Sequence, residues 1–323
     1  MIHREISPEE AGRKLIRYLE ILLPKAPRSF IFKAIRSNRI KLNGKHPKDE
    51  KLVLNAGDQI DLFLTEEQLE NFGYGEGKTK NVNTFQNKNL PDIPIIYEDD
   101  RILIVDKPVG IATQKGPNDP VSLTEMMRKY ISSKSGNQSL SSYHPSFCHR
   151  LDKNTSGLLI MAKTLQAHQA IERMLKERLI RKYYLAVVRG IADKWKEETR
   201  LVHCYQKDSK TNQAVLAPWR GEGIRCESSV LMIDSSNDQS VVRVDLLTGK
   251  SHQIRAQLAY EGFPIIGDGK YDHSSHIFRQ QLSAYELFFE KTDPFFDDLR
   301  GKHFYAHLSD SFEQFNIKNR SSR

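Results

Sequence analysis

A polar stretch without hydrophobic periodicity, residues 66–91, divides this chain of 323 residues into a short and a long region that can each bury a core. The stretch opens with Glu66-Glu67-Gln68, contains three glycines between positions 73 and 77, and continues as an Asn- and Lys-rich segment. Because such a composition offers little apolar surface to bury, it predicts a flexible linker. We therefore expect an N-terminal domain at 1–65, the linker at 66–91, a large domain at 92–316 and a tail at 317–323.

The N-terminal region alternates helical and strand patterns. A first helix is predicted by apolar residues at helical spacing, namely Leu15, Tyr18, Leu19 and Leu22. Two prolines that follow are expected to end it. A second short helix is expected to be capped by Ser29 and to bury Phe30, Ala34 and either Ile31 or Ile35.

Two strand patterns follow these helices. Residues 39–42 alternate like a strand into Asn43-Gly44, a pair that tolerates positive φ and therefore favours a tight hairpin turn. A further alternating strand is expected at residues 60–64.

Positive charge is concentrated in this same region. The whole chain has a formal net charge of +8, and the segment 25–48 contains eight basic residues and no acidic one: Lys25, Arg28, Lys33, Arg36, Arg39, Lys41, Lys45 and Lys48. A solvated face is the ordinary interpretation of a charge run, but such faces normally carry compensating Glu or Asp. The absence of acids therefore favours contact with a polyanion.

Several classes of protein are excluded or disfavoured. A hydrophobic content of 38% is too high for a wholly disordered chain. No apolar run approaches the roughly 18 residues of a spanning helix, so we expect no membrane protein. The acidic N-terminus does not resemble a secretory signal, and we expect a cytoplasmic location. Three separated cysteines, without a CxxC pair, indicate plain thiols and no thiolate zinc site: Cys148, Cys204 and Cys226.

The densest polar motif is His149-Arg-Leu-Asp-Lys-Asn-Thr-Ser-Gly157, which precedes an apolar, strand-like run. Asp152 in this motif is flanked by Arg150 and Lys153, which favour its ionised form. An ionised carboxylate can act directly as a nucleophile at an electrophilic carbon. A lone Asp–Lys pair at a turn is more often a structural salt bridge, so the motif by itself leaves both interpretations open.

The nine residues of this motif resemble the signature of the RluA family of pseudouridine synthases. Other segments resemble further family motifs in the expected order over residues 92–312: 97–110, 182–190, 247–255 and 262–268. Residues 12–64 resemble the S4 RNA-binding module. The resemblance implies an α+β fold, with a small S4-like N-terminal module and a large, mainly antiparallel sheet flanked by helices. The RluC/RluD branch, which it resembles as a whole, acts on large-subunit ribosomal RNA.

The resemblance also implies roles for individual residues. Asp152 would be the catalytic carboxylate, Tyr184 would pack on the target base and help proton removal from C5, and Arg255 would pair with Asp152. Arg150 would enter the RNA stack where the uridine leaves it. Ile254 and Leu258 would line the base pocket. Lys33, Arg36 and Lys41 of the S4-like module would contact RNA.

Several alternatives stay open at this point. Asp152 could attack C1′ of the ribose or C6 of the uracil, and neither route requires a metal or an organic cofactor. The RNA could be 23S ribosomal RNA, a large-subunit assembly intermediate or transfer RNA. A catalytically silent ribosome-assembly factor and a glycosidic hydrolase are the other classes, although the hydrolase lacks a second carboxylate in any motif. A monomer is the default expectation for the oligomeric state.

Three further signals are weak. The spacing of His303 and His307 could suit a metal, but their strand-like context favours ordinary histidines. Asp268, between two glycines, is interpreted as a structural turn residue, because no phosphate-loop pattern surrounds it. Lys250 stands where the family often has Arg, so a phosphate contact there is expected to be weaker.

Overall fold

The structure, a computed structural model, describes residues 2–74, 92–134, 143–272 and 279–317, except positions 9, 48, 50, 117, 118, 120, 212 and 316. Lys48 and most of the predicted linker and tail lie outside these residues. Among the described residues, no helix has both the length and the apolar character needed to cross a bilayer.

The N-terminal unit packs helices on a small antiparallel sheet. Its elements are β1 (Ile2–Glu5), α1 (Leu15–Leu22), α2 (Arg28–Arg36), β2 (Ile40–Leu42), β3 (Gln59–Leu62) and α3 (Glu66–Asn71). The strand order is β1-β3-β2, with both pairs antiparallel. The core of this unit contains Leu15, Tyr18 and Leu19, which confirms the periodicity of the first helix.

Two local predictions for this unit need correction. Helix α2 is preceded by Pro27, not capped by Ser29, because the proline has a fixed φ of −59° and the helix begins directly after it. The Asn43-Gly44 turn is confirmed, since both residues have positive φ, but β2 pairs with β3 and not with a strand immediately after the turn. The buried face of α2 consists of Ile31, Ala34 and Ile35, with Phe30 only partly buried.

The predicted linker was wrong at its beginning. Residues 66–71 form α3, and Thr65 caps it in a reciprocal capping box with Gln68. Leu69 is buried against the N-terminal core, and Phe72 and Tyr74 pack beside it. Three apolar side chains within six residues are enough to dock a short helix onto an existing core, although they are too few to produce a periodic signal in the sequence.

The large unit is built around one extended sheet. Its strands are β4 (Ile95–Glu98), β5 (Ile102–Lys107), β6 (Ser146–Phe147), β7 (Ser156–Ala162), β8 (Ile180–Arg189), β9 (Thr199–Asp208), β10 (Gln213–Pro218), β11 (Ile224–Ser236), β12 (Gln239–Leu246), β13 (Leu282–Phe289) and β14 (His303–Tyr305). The order is β10-β9-β11-β12-β8-β13-β7-β5-β4, and β14 and β6 pair with β13 and β7. All of these pairs are antiparallel except β13–β7, which confirms the predicted α+β class with a mainly antiparallel sheet.

Three helices flank this sheet: α4 (Leu123–Lys134), α5 (Leu165–Lys176) and α6 (Gln253–Tyr260). The predicted cap of α5 is confirmed, because Thr164 Oγ1 accepts a hydrogen bond from the Ala167 amide. Helix α5 covers one apolar cluster of the sheet through Ile171 and Met174. A second cluster contains Leu159 of β7 together with residues of β8 and α6, and the candidate site lies beside it.

Candidate active site

The segment that carries Asp152 enters the sheet at Gly157, where β7 begins alongside β13. Gly157 has a φ of +112°, and a Cβ built on it would lie 2.3 Å from the carbonyl oxygen of Ala284. Ser156 and Gly157 pair in parallel with Ser283 and Ala284. Only glycine fits this approach, so the last residue of the motif allows β7 and β13 to meet at the end of the segment that carries Asp152.

Lys107 lies buried beneath the Asp152 segment. Its Nζ donates hydrogen bonds to the carbonyl oxygens of Pro108, Ile111 and Lys153, at 3.0, 2.9 and 3.1 Å. Burial lowers the pKa of Lys107 to about 8, and the nearby Asp152 carboxylate opposes that shift. This amino group therefore joins the loop after β5 to the backbone next to Asp152.

A threonine and a glutamine hold the segment on either side of Asp152. Thr113 Oγ1 donates to the carbonyl of Leu151 at 2.9 Å and accepts from its amide at 3.2 Å. Gln280 Nε2 donates to Thr155 Oγ1 at 3.0 Å. The backbone on both sides of Asp152 is thereby fixed by buried polar contacts, as an accurately positioned nucleophile requires.

His149 also has a structural contact. Its Nε2 accepts a hydrogen bond from the Ile160 amide of β7 at 3.2 Å. This contact lies next to the two residues of β7 that pair with β6, Met161 and Ala162. Burial, and then the charge of Lys182, lower the pKa of His149 to about 3. The imidazole is therefore neutral at physiological pH, consistent with its acceptor role.

Asp152 is paired with an arginine that is itself held by a second aspartate. Arg255 Nη1 lies 2.9 Å from Asp152 Oδ2, while its Nε and Nη2 lie 2.6 and 2.7 Å from the two oxygens of Asp268. Burial disfavours the charge of Arg255, but the two carboxylates outweigh it and raise its pKa. The side chain of Asp152 is 27% exposed, and no described residue hydrogen-bonds its Oδ1.

The predicted apolar lining is brought together beside this pair. Tyr184 of β8 and Ile254 and Leu258 of α6 are all buried in one cluster. Burial, and then the charge of Asp152, raise the pKa of the Tyr184 phenol. The phenol is therefore neutral in the free protein, and it offers an aromatic surface and a hydroxyl group, not a phenolate.

Arg150 differs from the other motif residues because its side chain is exposed. It lies two residues before Asp152, and no ion pair with any other described residue holds it. A solvated guanidinium next to the carboxylate is free to contact an incoming polyanion.

The predicted RNA-contacting lysines and arginine lie on the N-terminal unit and not in the Asp152 site. Lys33 and Arg36 are exposed and line a shallow depression on α2 together with Ser29, Phe32 and Ser37. Lys41 lies over the Phe63 ring, with its Nζ 5.2 Å from the ring centroid. The surface contains more acid than the sequence segment suggests, because Glu20 of α1 pairs with Arg28.

Sequence reasoning missed several contributors to the site, among them Asp268, Lys107 and Thr113. Asp268 does shape a turn, but it also fixes Arg255, and its placement inside a motif segment was the available signal. The Asp-Lys-Pro sequence after a buried strand could have indicated Lys107, because a lysine there needs buried partners. Nothing local marks Thr113, whose contact with Leu151 spans 38 residues.

The weaker signals are resolved as ordinary contacts. His303 pairs with Glu286 and His307 with Asp106, and the described residues contain no group of metal-ligating side chains. The three cysteines are free, and burial raises the pKa of Cys148 to about 12, which makes it an unreactive thiol.

The chain is similar in sequence to known RNA pseudouridine synthases. A family model described as RNA pseudouridylate synthase matches residues 101–260. Ribosomal large subunit pseudouridine synthase C of Escherichia coli K12 is 29% identical over 269 residues, covering 82% of this chain and 78% of the relative. The enzyme of the same name from Vibrio parahaemolyticus is 27% identical over 286 residues, with coverages of 88% and 84%.

A third bacterial relative and two human structures extend the comparison. An uncharacterised RNA pseudouridine synthase of Mycoplasma genitalium is 27% identical over 299 residues and covers 89% of each chain. The structure of human RNA pseudouridylate synthase domain containing 4 matches with a TM-score of 0.53 and 18% identity, over 68% of this chain and 90% of that one. Human RNA pseudouridylate synthase domain containing 1 matches with a TM-score of 0.50 and 23% identity, over 69% and 94%. At these identities the two structures establish a shared fold.

Proposed function

The chain belongs to the RNA pseudouridylate synthase family, and from that premise we propose that it isomerises specific uridines of large-subunit ribosomal RNA to pseudouridine, with Asp152 as the nucleophile. The observation that carries this proposal is the Asp152–Arg255 ion pair beside the buried Tyr184. The ribosomal target is supported by the names of the bacterial relatives and by the basic surface of the N-terminal unit.

Asp152 starts the reaction on a uridine that has left the RNA stack. Attack at C1′ breaks the N1–C1′ bond, leaves the uracil with the electron pair at N1, and forms a ribosyl ester with Asp152. The base then turns, C5 bonds to C1′ as the carboxylate leaves, and C5 loses its proton while N1 gains one. In the alternative route, Asp152 adds to C6 of the uracil ring. This adduct also leads to a product in which a C5–C1′ bond replaces the N1–C1′ bond.

The surrounding residues make this chemistry possible at neutral pH. Arg255 pairs with Asp152 and aims it, and Asp268 holds Arg255 in place. Tyr184 packs against the base, which favours the extruded state by about 1–3 kcal/mol through stacking. Ile254 and Leu258, which are buried in the same apolar cluster as Tyr184, line the apolar side of the base site and keep water from the reacting groups.

Recognition of the RNA uses two further surfaces. Arg150 is exposed next to Asp152 and occupies the space that the flipped uridine leaves. Lys33, Arg36 and Lys41 contact phosphates at a distance from the site. Neither a metal nor an organic cofactor takes part, and the enzyme acts as a cytoplasmic monomer.

The proposed function is tested by incubating the purified chain with unmodified transcripts of 23S ribosomal RNA or of transfer RNA, digesting them to nucleosides, and separating uridine from pseudouridine by chromatography. We expect pseudouridine in the ribosomal RNA only. Pseudouridine in transfer RNA alone would overturn the ribosomal assignment. No product in either, or in assembly intermediates of the large subunit, would support a binding factor.

A further inference from the structure

His252 lies next to the Asp152–Arg255 pair in a backbone conformation that few side chains adopt. It immediately precedes α6, with φ +55° and ψ +18°, in the left-handed region. Histidine is enriched there among residues other than glycine, but the conformation still costs free energy and persists only where the surroundings enforce it. The His252 side chain makes no helix-capping hydrogen bond, so its imidazole is free for another contact.

The imidazole faces the catalytic carboxylate on one side and a tyrosine on the other. His252 Nε2 is 3.7 Å from Asp152 Oδ2, the same oxygen that Arg255 binds, and the His252 side chain is only 10% exposed. His252 Nδ1 is 3.3 Å from Tyr271 Oη. The two rings meet edge to face, with centroids 6.0 Å apart.

Tyr271 selects the tautomer of His252. Its Oη accepts a hydrogen bond from the Ala214 amide at 2.7 Å, so its own proton is available to donate. The His252 Nδ1 atom is nearer to Oη than the Ala214 carbonyl oxygen is, at 3.3 against 3.5 Å. Donation to Nδ1 leaves the imidazole proton on Nε2, directed at Asp152.

We propose that His252 is a positioning residue for Asp152: its Nε2–H, oriented by Tyr271, joins Arg255 in holding Oδ2 and leaves Oδ1 as the oxygen that bonds to the substrate. The role rests on the proposed function, because it needs Asp152 to be the nucleophile. Closing the 3.7 Å gap to a hydrogen bond takes a shift of less than 1 Å, which substrate binding supplies as the site tightens.

The charge of His252 is set by its neighbours. Burial lowers the pKa of His252 below 6.5, with Arg255 and Lys270 acting in the same direction, whereas Asp152 and Asp268 favour the protonated form. A protonated imidazole would lose the bond from Tyr271 and would hold Asp152 in a stronger ion pair, which makes the carboxylate a poorer nucleophile. Turnover should therefore fall as the pH falls through the pKa of His252.

Two variants test this role. His252→Asn tolerates the left-handed backbone but is too short to reach Asp152 and does not titrate. Tyr271→Phe removes only the hydroxyl that orients the imidazole. We expect His252→Asn to lower kcat about 10-fold with KM changed less than about twofold, and to lose the decline in kcat below pH 6.5. Tyr271→Phe should lower kcat by a smaller factor and retain the decline.

A control variant and an NMR measurement separate the possible outcomes. His303→Gln, at an exposed histidine, is the matched control and should change neither kcat nor the pH profile. Nitrogen-15 NMR of the histidines should show His252 protonated at Nε2 in the wild type and mixed in Tyr271→Phe. Wild-type protein without turnover would contradict the proposed function. If the wild type is active and both variants keep its kcat and its decline in kcat below pH 6.5, the role of His252 alone is overturned. A His252 that is protonated at Nδ1 in the wild type would overturn it as well.

Discussion

Asp268 binds the Arg255 guanidinium through two hydrogen bonds of 2.6 and 2.7 Å, and this leaves the third donor direction, Nη1, for Asp152. A forked contact of this kind fixes both the position and the plane of a guanidinium. The Asp152 carboxylate is therefore paired with an arginine whose own position and plane are fixed by Asp268.

The first prediction concerns Asp268→Asn. The amide retains one acceptor but loses the fork, so Arg255 should move relative to Asp152, and kcat should fall about 100-fold, as expected when a reacting group is misplaced. Loss of a buried partner should also cost about 3–5 kcal/mol of unfolding free energy. Kinetics and urea unfolding measure the two effects.

Asp272 supplies the matched control for this variant. Its side chain is equally buried and pairs with another arginine, Arg189, at 3.0 Å. Asp272→Asn should destabilise the protein and leave the kcat of the folded fraction within about twofold of wild type. Equal kcat losses in both variants would mean that Asp268 acts only through stability.

A second prediction concerns Gly157→Ala. The added methyl group would lie 2.3 Å from the Ala284 oxygen at a φ of +112°, so strands β7 and β13 must separate. We expect a loss of more than about 3 kcal/mol in unfolding free energy. Gly249→Ala, where a Cβ meets nothing within 4 Å, is the control and should cost less than about 1 kcal/mol. Similar urea midpoints for the two variants would contradict the close approach.

The structure shows why these relationships were only partly predictable. The Thr164 cap and the Asn43-Gly44 turn were predicted because each depends on a few adjacent residues. The need for glycine at 157 comes from Ala284, which lies more than a hundred positions away in the chain. Contacts of this range leave no local pattern in a single sequence.

The residues of the site likewise differ in whether a local sequence pattern could reveal them. The motif singled out Asp152 but left its role open, and its catalytic role and its pairing with Arg255 were expected only from a family resemblance; the pair is now seen at 2.9 Å. Asp268 was interpreted as a turn residue because its hydrogen bonds to Arg255 form only when α6 and the following turn are folded. Likewise, Leu69 could not signal α3 without the core on which it packs.

A third prediction concerns the pH dependence of stability through His149. Its pKa is about 3 in the folded protein against 6.5 for an ordinary histidine, so below pH 6.5 the unfolded chain binds more protons. His149 therefore stabilises the fold fully above pH 6.5, and this contribution is lost as the pH falls. Between pH 6.5 and 5 the loss should be about 2 kcal/mol.

His149→Gln isolates this effect. The glutamine Oε1 can accept the hydrogen bond from the Ile160 amide, but the side chain does not titrate. The unfolding free energy of this variant should therefore depend less on pH between 6.5 and 5 than that of the wild type. Urea unfolding of both proteins at pH 6.5 and pH 5 gives the comparison, in which other titrating groups cancel. Identical pH dependences would show that His149 is not buried as a neutral acceptor.

A fourth prediction concerns the basic surface of the N-terminal unit. Replacing Lys33, Arg36 and Lys41 by Gln should weaken RNA binding and reduce the slope of log Kd against log salt by roughly 2, since each phosphate contact contributes about 0.7. Lys291, Arg300 and Lys302, which are exposed on the large unit, provide a triple-Gln control with the same change in charge. Equal slopes in both triple variants would reduce the basic segment to a solvated face.

The central claim is that Asp152 is the nucleophile of a uridine isomerisation, and tritium release tests it most directly. Ribosomal RNA labelled at uridine C5 loses its tritium to water only when C5 forms the new bond to the ribose. We expect release by the wild type and by the surface control Asp193→Asn, with at least a 1,000-fold loss of rate, or about 4 kcal/mol, in Asp152→Asn and RNA affinity within about twofold. Release by Asp152→Asn within about tenfold of the wild-type rate would contradict the assignment.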